Sequence, residues 1–343
     1  MRFNVEDLKR RVTQIATKAG IQQEDASYIA DVLVTTDMRG IHSHGVVRMA
    51  RYLDCLHAGG IHANVIPKTI SETATSLQVS AAGGLGIPAA VRTMNRLLEK
   101  AVNQPIVMGT VNHSDHYGAA GHYSTMAADR GFLAFSMSNR CPLVVPTGGR
   151  AAAIGNNPFA YSAPGRKYRG LLFDVCMSKV ASGKLIFAAK EHKSIPEGLI
   201  LTKDGNPTTD PNEIWNGAIM LPFAEHKGYG FAIMVELMTA VLGMSGMMSS
   251  VHSWNETPGR DANTGHAFII INPDFFGGEE QFRARVDAMI DELKACPTQE
   301  GISEILYPGE LEWRREAEAI QNGLELPDAS VKQLERAEMM LAL

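Results

Sequence analysis

Gly84-Leu85-Gly86-Ile87-Pro88-Ala89 is the stretch on which the fold class turns. It follows an alternating run, Ser76-Leu77-Gln78-Val79-Ser80, and opens a helical pattern through Val91, Met94 and Leu98. That is the outline of the GxGxxA loop that cradles a pyrophosphate in a Rossmann fold. The loop also needs an acid at the end of the next strand, about 20 residues on, to hold the ribose. Here the next strand-like run is Ile106 to Val111, and the first acid beyond it is Asp115, too far away. Pro88 is foreign to the motif as well. The stretch reads as a tight turn into a helix, and the chain as an α/β protein that is not a Rossmann enzyme.

Upstream of this turn the pattern is helical. Asn4 can cap a first helix with Glu6 and Asp7 in its opening turn, Leu8, Val12 and Ile15 on one face, and Gly20 closing it. Ala26, Ile29 and Leu33 mark a second helix that ends at Arg39-Gly40, and Val46 to His57 a third that stops at Gly59-Gly60. Downstream, Thr69–Thr73, Ile106–Val111, Phe132–Ser138, Leu171–Val175 and Ala267–Ile271 read as strands, with a small-residue helix from Gly118 to Asp129. Phe282, Val286, Met289, Ile290 and Leu293 mark a long amphipathic helix. The expected organisation is a helical N-terminal portion (1–68), a central α/β portion (69–280), and a helical C-terminal portion (281–343) packed on the first helices.

The 343 residues are 45% hydrophobic and 20% charged, with a formal net charge of −5. That argues against a nucleic-acid partner, which would call for a basic stripe. Cys55, Cys141, Cys176 and Cys296 are scattered without metal or disulfide spacing, and are expected to be reduced, buried thiols of a cytoplasmic protein. No secretory leader is read at the start. The most apolar run, Phe231 to Met244, carries Glu236 and falls short of the roughly 20 residues of a membrane span; it is expected to be a buried helix.

Two histidine clusters carry the chemistry. In Arg39-Gly40-Ile41-His42-Ser43-His44-Gly45, glycines bracket His-Ser-His, and Arg48, Arg51 and Tyr52 follow within a helical turn of one another. His113-Ser114-Asp115-His116-Tyr117-Gly118 lies after a strand and before a helix, where open sheets present functional side chains. Imidazoles that exchange protons near neutral pH would stand beside guanidiniums able to grip a carboxylate. The rival is a four-histidine metal site, but neither cluster holds an HExxH arrangement or a cysteine, and no metal is expected. Asp174, at a strand end, can bind a ribose or cap the next segment. Lys227, in His226-Lys227-Gly228 ahead of the apolar helix, can grip an anion or simply sit in a loop.

The ordered set of segments resembles the malate/L-lactate dehydrogenase-like family, which includes ureidoglycolate and sulfolactate dehydrogenases, diketogulonate reductase and cyclic imino acid reductases. The matching pieces are Arg39-Gly40-x-x-Ser43-His44-Gly45-x-x-Arg48, His116-x-Gly118-Ala119-Ala120, Gly155-x-Asn157-Pro158, Phe173-Asp174, Ile195-Pro196, Thr208-Thr209-Asp210-Pro211, Lys227-Gly228-Tyr229-Gly230 and Tyr307-Pro308-Gly309-Glu310. The resemblance implies a non-Rossmann mixed sheet flanked by helices, NAD or NADP as cofactor, a homodimer, and hydride transfer at C2 of a 2-hydroxy/2-oxo acid. Carried over, His116 or His44 becomes the proton-transfer group, with Ser43 beside His44, and Arg48 the carboxylate anchor, with Tyr52 beside it. Cofactor contacts fall on Asn139, Asn157, Phe173, Asp174, Val175, Cys176, Ser178, Lys227, Gly228, Pro308, Gly309 and Glu310.

Three departures refine this. The imino acid reductases are described with a Ser-His-Asp relay, and where the aspartate would stand, after Gly183, this chain has Lys184. That favours the hydroxy-acid branch. Cys176-Met177 replaces the usual small residues in the cofactor segment. Asn139-Arg140-Cys141 places an arginine near the pocket, where it could pair with a second anionic group of the substrate.

Overall fold

The computed structural model describes residues 1–342, apart from the side chains of Ser182, Phe187 and Lys190. A two-residue strand, β1 (Arg2–Phe3), leads into α1 (Val5–Lys18), where the Asn4 side chain accepts the amides of Glu6 and Asp7 at 3.0 and 3.1 Å. Such a cap is worth about 1 kcal/mol. Helix α2 (Gln23–Met38) ends at Gly40, whose φ of +80° suits glycine. The expected third helix is split: a single 3-10 turn, Val46–Arg48, precedes α3 (Met49–Ala58), which stops at Gly59.

The sheet follows as β2 (Lys68–Glu72), β3 (Ser76–Ser80), α4 (Gly86–Ala101), β4 (Ile106–Ser114), α5 (Ala120–Ala128), β5 (Leu133–Ser138), β6 (Phe159–Pro164) and β7 (Gly170–Val175). Next come α6 (Ser182–Lys190) and three short strands, β8 (Ile200–Leu201), β9 (Pro207–Thr208) and β10 (Ile219–Met220), which pair as a small separate sheet. Helix α7 (His226–Glu236) runs into a π turn, Leu237–Val241. The chain ends with β11 (Thr264–Ile271), α8 (Glu279–Lys294), α9 (Glu310–Asn322), β12 (Leu324–Glu325) and α10 (Asp328–Met340).

The main sheet has seven strands in the order β2-β3-β4-β11-β5-β6-β7. Only β3 and β4, joined by the α4 crossover, run parallel; every other pair is antiparallel. This is a mixed α/β fold without a Rossmann sheet. The GxG look-alike has a packing cause: a Cβ on Gly86 would lie 2.2 Å from the Asp115 carbonyl oxygen. The glycine lets the start of α4 press against the loop after β4.

Helices α4 and α5 pack on the sheet, α2 packs on α4, and α10 packs on α3. Leu8, Val12, Ile29 and Leu33 from the first helices share one buried cluster with Leu77, Val107 and Ala134 of the sheet and Leu334 of α10. Burying each such side chain contributes about 1.5–3 kcal/mol. Three β features escaped the sequence reading: β6, which is short and rich in Ala and Ser, the three-stranded small sheet, and the β1–β12 pair, the last two built of two-residue strands.

Two expectations are corrected. The apolar run is not buried throughout: Ala232, Val235 and Thr239 are interior, but Phe231, Leu237, Val241, Leu242 and Met244 are exposed. The thiols are all free, and Cys55 and Cys141 are buried, but Cys176 is half-buried and Cys296 exposed. No helix among the described residues is long and apolar enough to cross a membrane.

Candidate active site

The pocket forms where β4 and β5 end and β11 begins, since β11 is antiparallel to both and pairs Thr264 with Ser114 and His266 with Ser138. Into this corner the loop after β4 brings His116, the loop after α2 brings Ser43, His44 and Arg48, and α3 brings Tyr52. The two histidine segments thus meet: the rings of His44 and His116 stack with centroids 5.5 Å apart.

His116 is held on every side but one. Trp254 stacks on its other face at 4.5 Å. The Tyr52 hydroxyl lies 2.8 Å from its Nδ1, and the Gly118 amide points at the same nitrogen from 3.4 Å. Its Nε2 is buried without a partner among the described residues. His44 is half-buried, with Nδ1 2.8 Å from the Ser43 hydroxyl. Arg48 donates from Nε to the Ser43 carbonyl at 2.6 Å, and its guanidinium lies 5.6 Å from the Trp254 ring centre.

The electrostatics follow from burial and excess cation. Burial first, then the charges of Arg48 and Arg140, depress His44 to about 3. Burial, then His44, Arg48 and Arg140, hold His116 well below the ordinary histidine value. Both rings are therefore neutral at pH 7. Burial and Arg140 lower Arg48 only to about 10, so it stays a cation. Asp115, buried and bonded through Oδ1 to the His116 amide at 2.5 Å, is pushed up by burial to about 6. Arg48 and Arg140 act on both rings, while Arg51 and Asp261 act with Arg140 on Asp115.

The loop that carries Ser43 and His44 is shaped by a residue the sequence reading passed over. Asp37, fully buried, accepts the Val46 amide at 2.7 Å and lies 2.8 Å from the His42 Nδ1. A Cβ on Gly45 would fall 2.1 Å from the Asp37 carboxyl, so this glycine serves close packing, with φ at −87°. His42 is thereby tied off, and His113 faces Asp261 at 3.4 Å on the surface. The four histidines do not converge. Among the described residues no group of three or more His, Cys, Asp and Glu could hold a metal ion.

Other expected residues find different places. Tyr52, expected beside the substrate, is only 1% exposed and meets His116 Nδ1 through its hydroxyl at 2.8 Å. Arg51 meets Asp54 through Nη1 at 3.5 Å, while its Nε and Nη2 are buried without a partner among the described residues and its charge reaches Arg48 and Asp115. Arg140 reaches the pocket with its charge, while its backbone amide is pinned by Asn157 Oδ1 at 3.1 Å. Trp254 was missed; the signal available was a tryptophan in an otherwise polar loop, one of only three in the chain.

The cofactor candidates form a rim beside this pocket. Phe173, Asp174 and Val175 end β7, where Asp174 accepts the Gly121 amide at the start of α5 at 2.7 Å. The turn at Pro308 and Gly309 rests on the same strand: the Leu172 amide donates to the Pro308 carbonyl at 3.0 Å, and a Cβ on Gly309 would meet Leu172. Met177 bonds to the Asn156 carbonyl, and Ser178 bridges to Pro222, just before Lys227 in the first turn of α7. Ala224 and Glu225 reach positive φ to set that turn. A strand-end carboxylate, an exposed lysine and the orphaned side-chain Oδ1 of half-buried Asn156 fit a nicotinamide dinucleotide.

Four candidates are committed elsewhere. Asn139 spends its amide on Gly246 and Gly265, and Asn157 on Ala232, Glu236 and Arg140, so both act as struts of the wall. Glu310 is ion-paired with Lys294 and Arg314, and Gly228 lets α7 approach the Phe223 carbonyl.

A non-Rossmann mixed sheet with an imidazole pair and two guanidiniums at its strand ends defines a class of oxidoreductase. Comparison with known proteins gives it a family. A model described as malate/L-lactate dehydrogenase matches residues 3–335. The L-sulfolactate dehydrogenase of Methanocaldococcus jannaschii is 34% identical, over 96% of this chain and 94% of its own. The solved structure of the sulfolactate dehydrogenase from that organism matches with a TM-score of 0.91 at 33% identity, covering 100% of this chain and 98% of its own. The ureidoglycolate dehydrogenase (NAD(+)) of Escherichia coli is 32% identical, over 96% and 93%. The delta(1)-pyrroline-2-carboxylate/delta(1)-piperideine-2-carboxylate reductase of Pseudomonas putida is 31% identical, over 96% and 94%. The chain belongs to the malate/L-lactate dehydrogenase family, and is a dehydrogenase of 2-hydroxy acids at the level of that family.

Proposed function

We propose that this enzyme interconverts a 2-hydroxy and a 2-oxo acid that carries a second anionic group, with NAD or NADP as cofactor. The observation that carries the reading is the charge acting on the two rings: Arg48 and Arg140 both lower His44 and His116, and no carboxylate is among the groups that shift either ring. A dianion of malate or sulfolactate type neutralises that excess. Arg48 holds the 2-carboxylate in a forked grip, which fixes the face of C2 presented to the rim. Arg140 holds the second anion. In reduction His116, carrying a second proton on Nδ1 once the bound dianion offsets Arg48 and Arg140, gives its Nε2 proton to the O2 alkoxide and is left neutral. In oxidation a neutral ring with a free Nε2 takes that proton back, and His44, set by Ser43, assists as a polar neighbour. Phe173–Ser178, Lys227 and the Pro308 turn would hold the nicotinamide cofactor, which would supply or accept the hydride when bound.

A second reading, reduction of a cyclic imino acid, draws support from the assembled Ser43–His44 pair. A Cβ on Gly183 would approach Ser43 to 3.7 Å, so α6 does close on that pair; but Lys184, where the relay aspartate would follow, gives the pair no carboxylate. The exposed apolar face of α7 and its π turn suits a homodimer contact, and four free cysteines suit a reducing, cytoplasmic setting.

The test is a panel of 2-oxo and cyclic imino acids with NADH and NADPH, read by absorbance loss. Dianionic 2-oxo acids should turn over best. Preference for a monoanion or for an imino acid would reject the charge argument.

A further inference from the structure

Two hydrogen-bond donors converge on one nitrogen of His116. The Gly118 backbone amide, which can only donate, points at Nδ1 from 3.4 Å, and the Tyr52 hydroxyl sits 2.8 Å from the same atom. A nitrogen that accepts from an amide carries a lone pair, so the ring's hydrogen lies on Nε2. From this geometry we infer that Tyr52, whose 2.8 Å bond is the stronger of the two and is backed only by the long Gly118 amide contact, is a positioning residue that holds His116 as the Nε2–H tautomer, so that the resting site offers the substrate oxygen a hydrogen-bond donor.

The surroundings leave no competing arrangement. No carboxylate touches either ring nitrogen of His116; the Asp115 carboxylate is used on the His116 backbone amide instead. The charged and titratable groups facing the ring are His44 and Arg48 from the loop after α2, Arg140 from the loop after β5, His266 from β11 and Tyr52 from α3. Trp254 and His44 clamp the ring between two planes, so it cannot flip and carry Nδ1 away from these donors. His266 is itself engaged by Ser114 and Ser138 at 2.8 and 2.9 Å and offers His116 no bond. Buried Tyr52 holds its proton, because desolvation and the nearby Asp115 charge both raise it. Its hydroxyl has no other partner among the described residues, and donates to Nδ1.

A neutral imidazole that presents N–H is a polariser of a carbonyl oxygen, the role ascribed to a neutral histidine in triosephosphate isomerase. The resting pocket is therefore complementary to the 2-oxo acid, whose O2 only accepts, more than to the 2-hydroxy acid, whose O2–H would face another donor. This rests on the assignment of His116 to the substrate oxygen made above.

The direct test reads the tautomer without turnover. Protein labelled with 15N-histidine is examined at pH 7 by long-range proton–nitrogen correlation, with His116 assigned from the His116→Ala spectrum. The expected pattern is protonation at Nε2 alone, giving way to a mixed or reversed pattern in Tyr52→Phe. Protonation at Nδ1 in the wild type would overturn the inference, as would an unchanged pattern in Tyr52→Phe. In kinetics, Tyr52→Phe should lower kcat roughly tenfold, the scale of one buried hydrogen bond, with the substrate KM and the NADH titration nearly unmoved and the pH profile of kcat displaced. An unaltered kcat and profile also refute it. If His116→Ala keeps full activity while the wild-type ring is Nε2–H, the role of His116 in the proposed function fails and the tautomer assignment stands.

Discussion

Gly45→Ala tests how the catalytic loop is held. The new methyl would arrive 2.1 Å from the Asp37 carboxyl carbon and from Oδ2, a separation no pair of atoms sustains. Backbone φ is −87°, outside the left-handed region that favours glycine, so the effect worked out here is the steric one. The carboxylate must swing off the Val46 amide and the His42 ring. Bonds to a charged group contribute about 1.5–3 kcal/mol each. The Val46 amide is left buried without a partner, while half-buried His42 regains water, so the net loss is about 3–5 kcal/mol. In a chain of this size each kcal/mol shifts Tm by roughly 2 °C, and a drop on the order of 8 °C is expected by calorimetry. Ser43, His44 and Arg48 move with the loop, and kcat/KM should fall at least about a hundredfold, since misplacement of about 1 Å costs that much. The control is a double-mutant cycle: in an Asp37→Ala background, Gly45→Ala should cost less than about 1 kcal/mol. A Gly45→Ala enzyme with wild-type Tm and activity would refute the reasoning, as would full additivity in the cycle.

Arg48→Lys should raise the substrate KM steeply with a smaller change in kcat, because a point charge replaces a fork; an unmoved KM places the carboxylate elsewhere. Arg140→Met should impair malate-like acids far more than lactate-like ones, and equal effects in parallel assays reject the second-anion contact. Arg39, buried and bonded to Glu316 at 2.7 Å, loses its partner in Glu316→Gln; about 3–5 kcal/mol of stability should go with it, and an unchanged urea midpoint contradicts this. Burial, the first cause for each, holds His44, His116, His122 and His266 below the ordinary histidine value. The unfolded chain binds those protons below about pH 6.5 and the folded chain does not, so stability falls as pH drops from there. Asp115 and Asp174, raised by burial to about 6, oppose this in part between about pH 4 and 6. With roughly two net protons, the slope near pH 5.5 is about 3 kcal/mol per unit; denaturation curves showing flat or rising stability toward pH 5 would contradict it.

The chain's own order of residues determined more of the fold than of the site. Local signals act over a few residues, and they placed the Asn4 cap, the Gly20, Gly40 and Gly59 stops and the long strands that became β3, β4, β5, β7 and β11. They also ruled out a Rossmann loop, because that motif demands an acid at a fixed separation that is absent. Residue types alone marked His44, His116 and Arg48 as chemically capable. Which of them act together was decided only in three dimensions. Antiparallel β11 brings the ends of β4 and β5 to one corner, and there His42 is removed by Asp37 and His113 by the surface. Tyr52 and Trp254, which no spacing rule links to residue 116, became the walls of its ring. The physical reason is that a hydrogen bond or a stacked ring requires approach within a few ångströms, and separation along the chain carries no information about that distance until the core has packed.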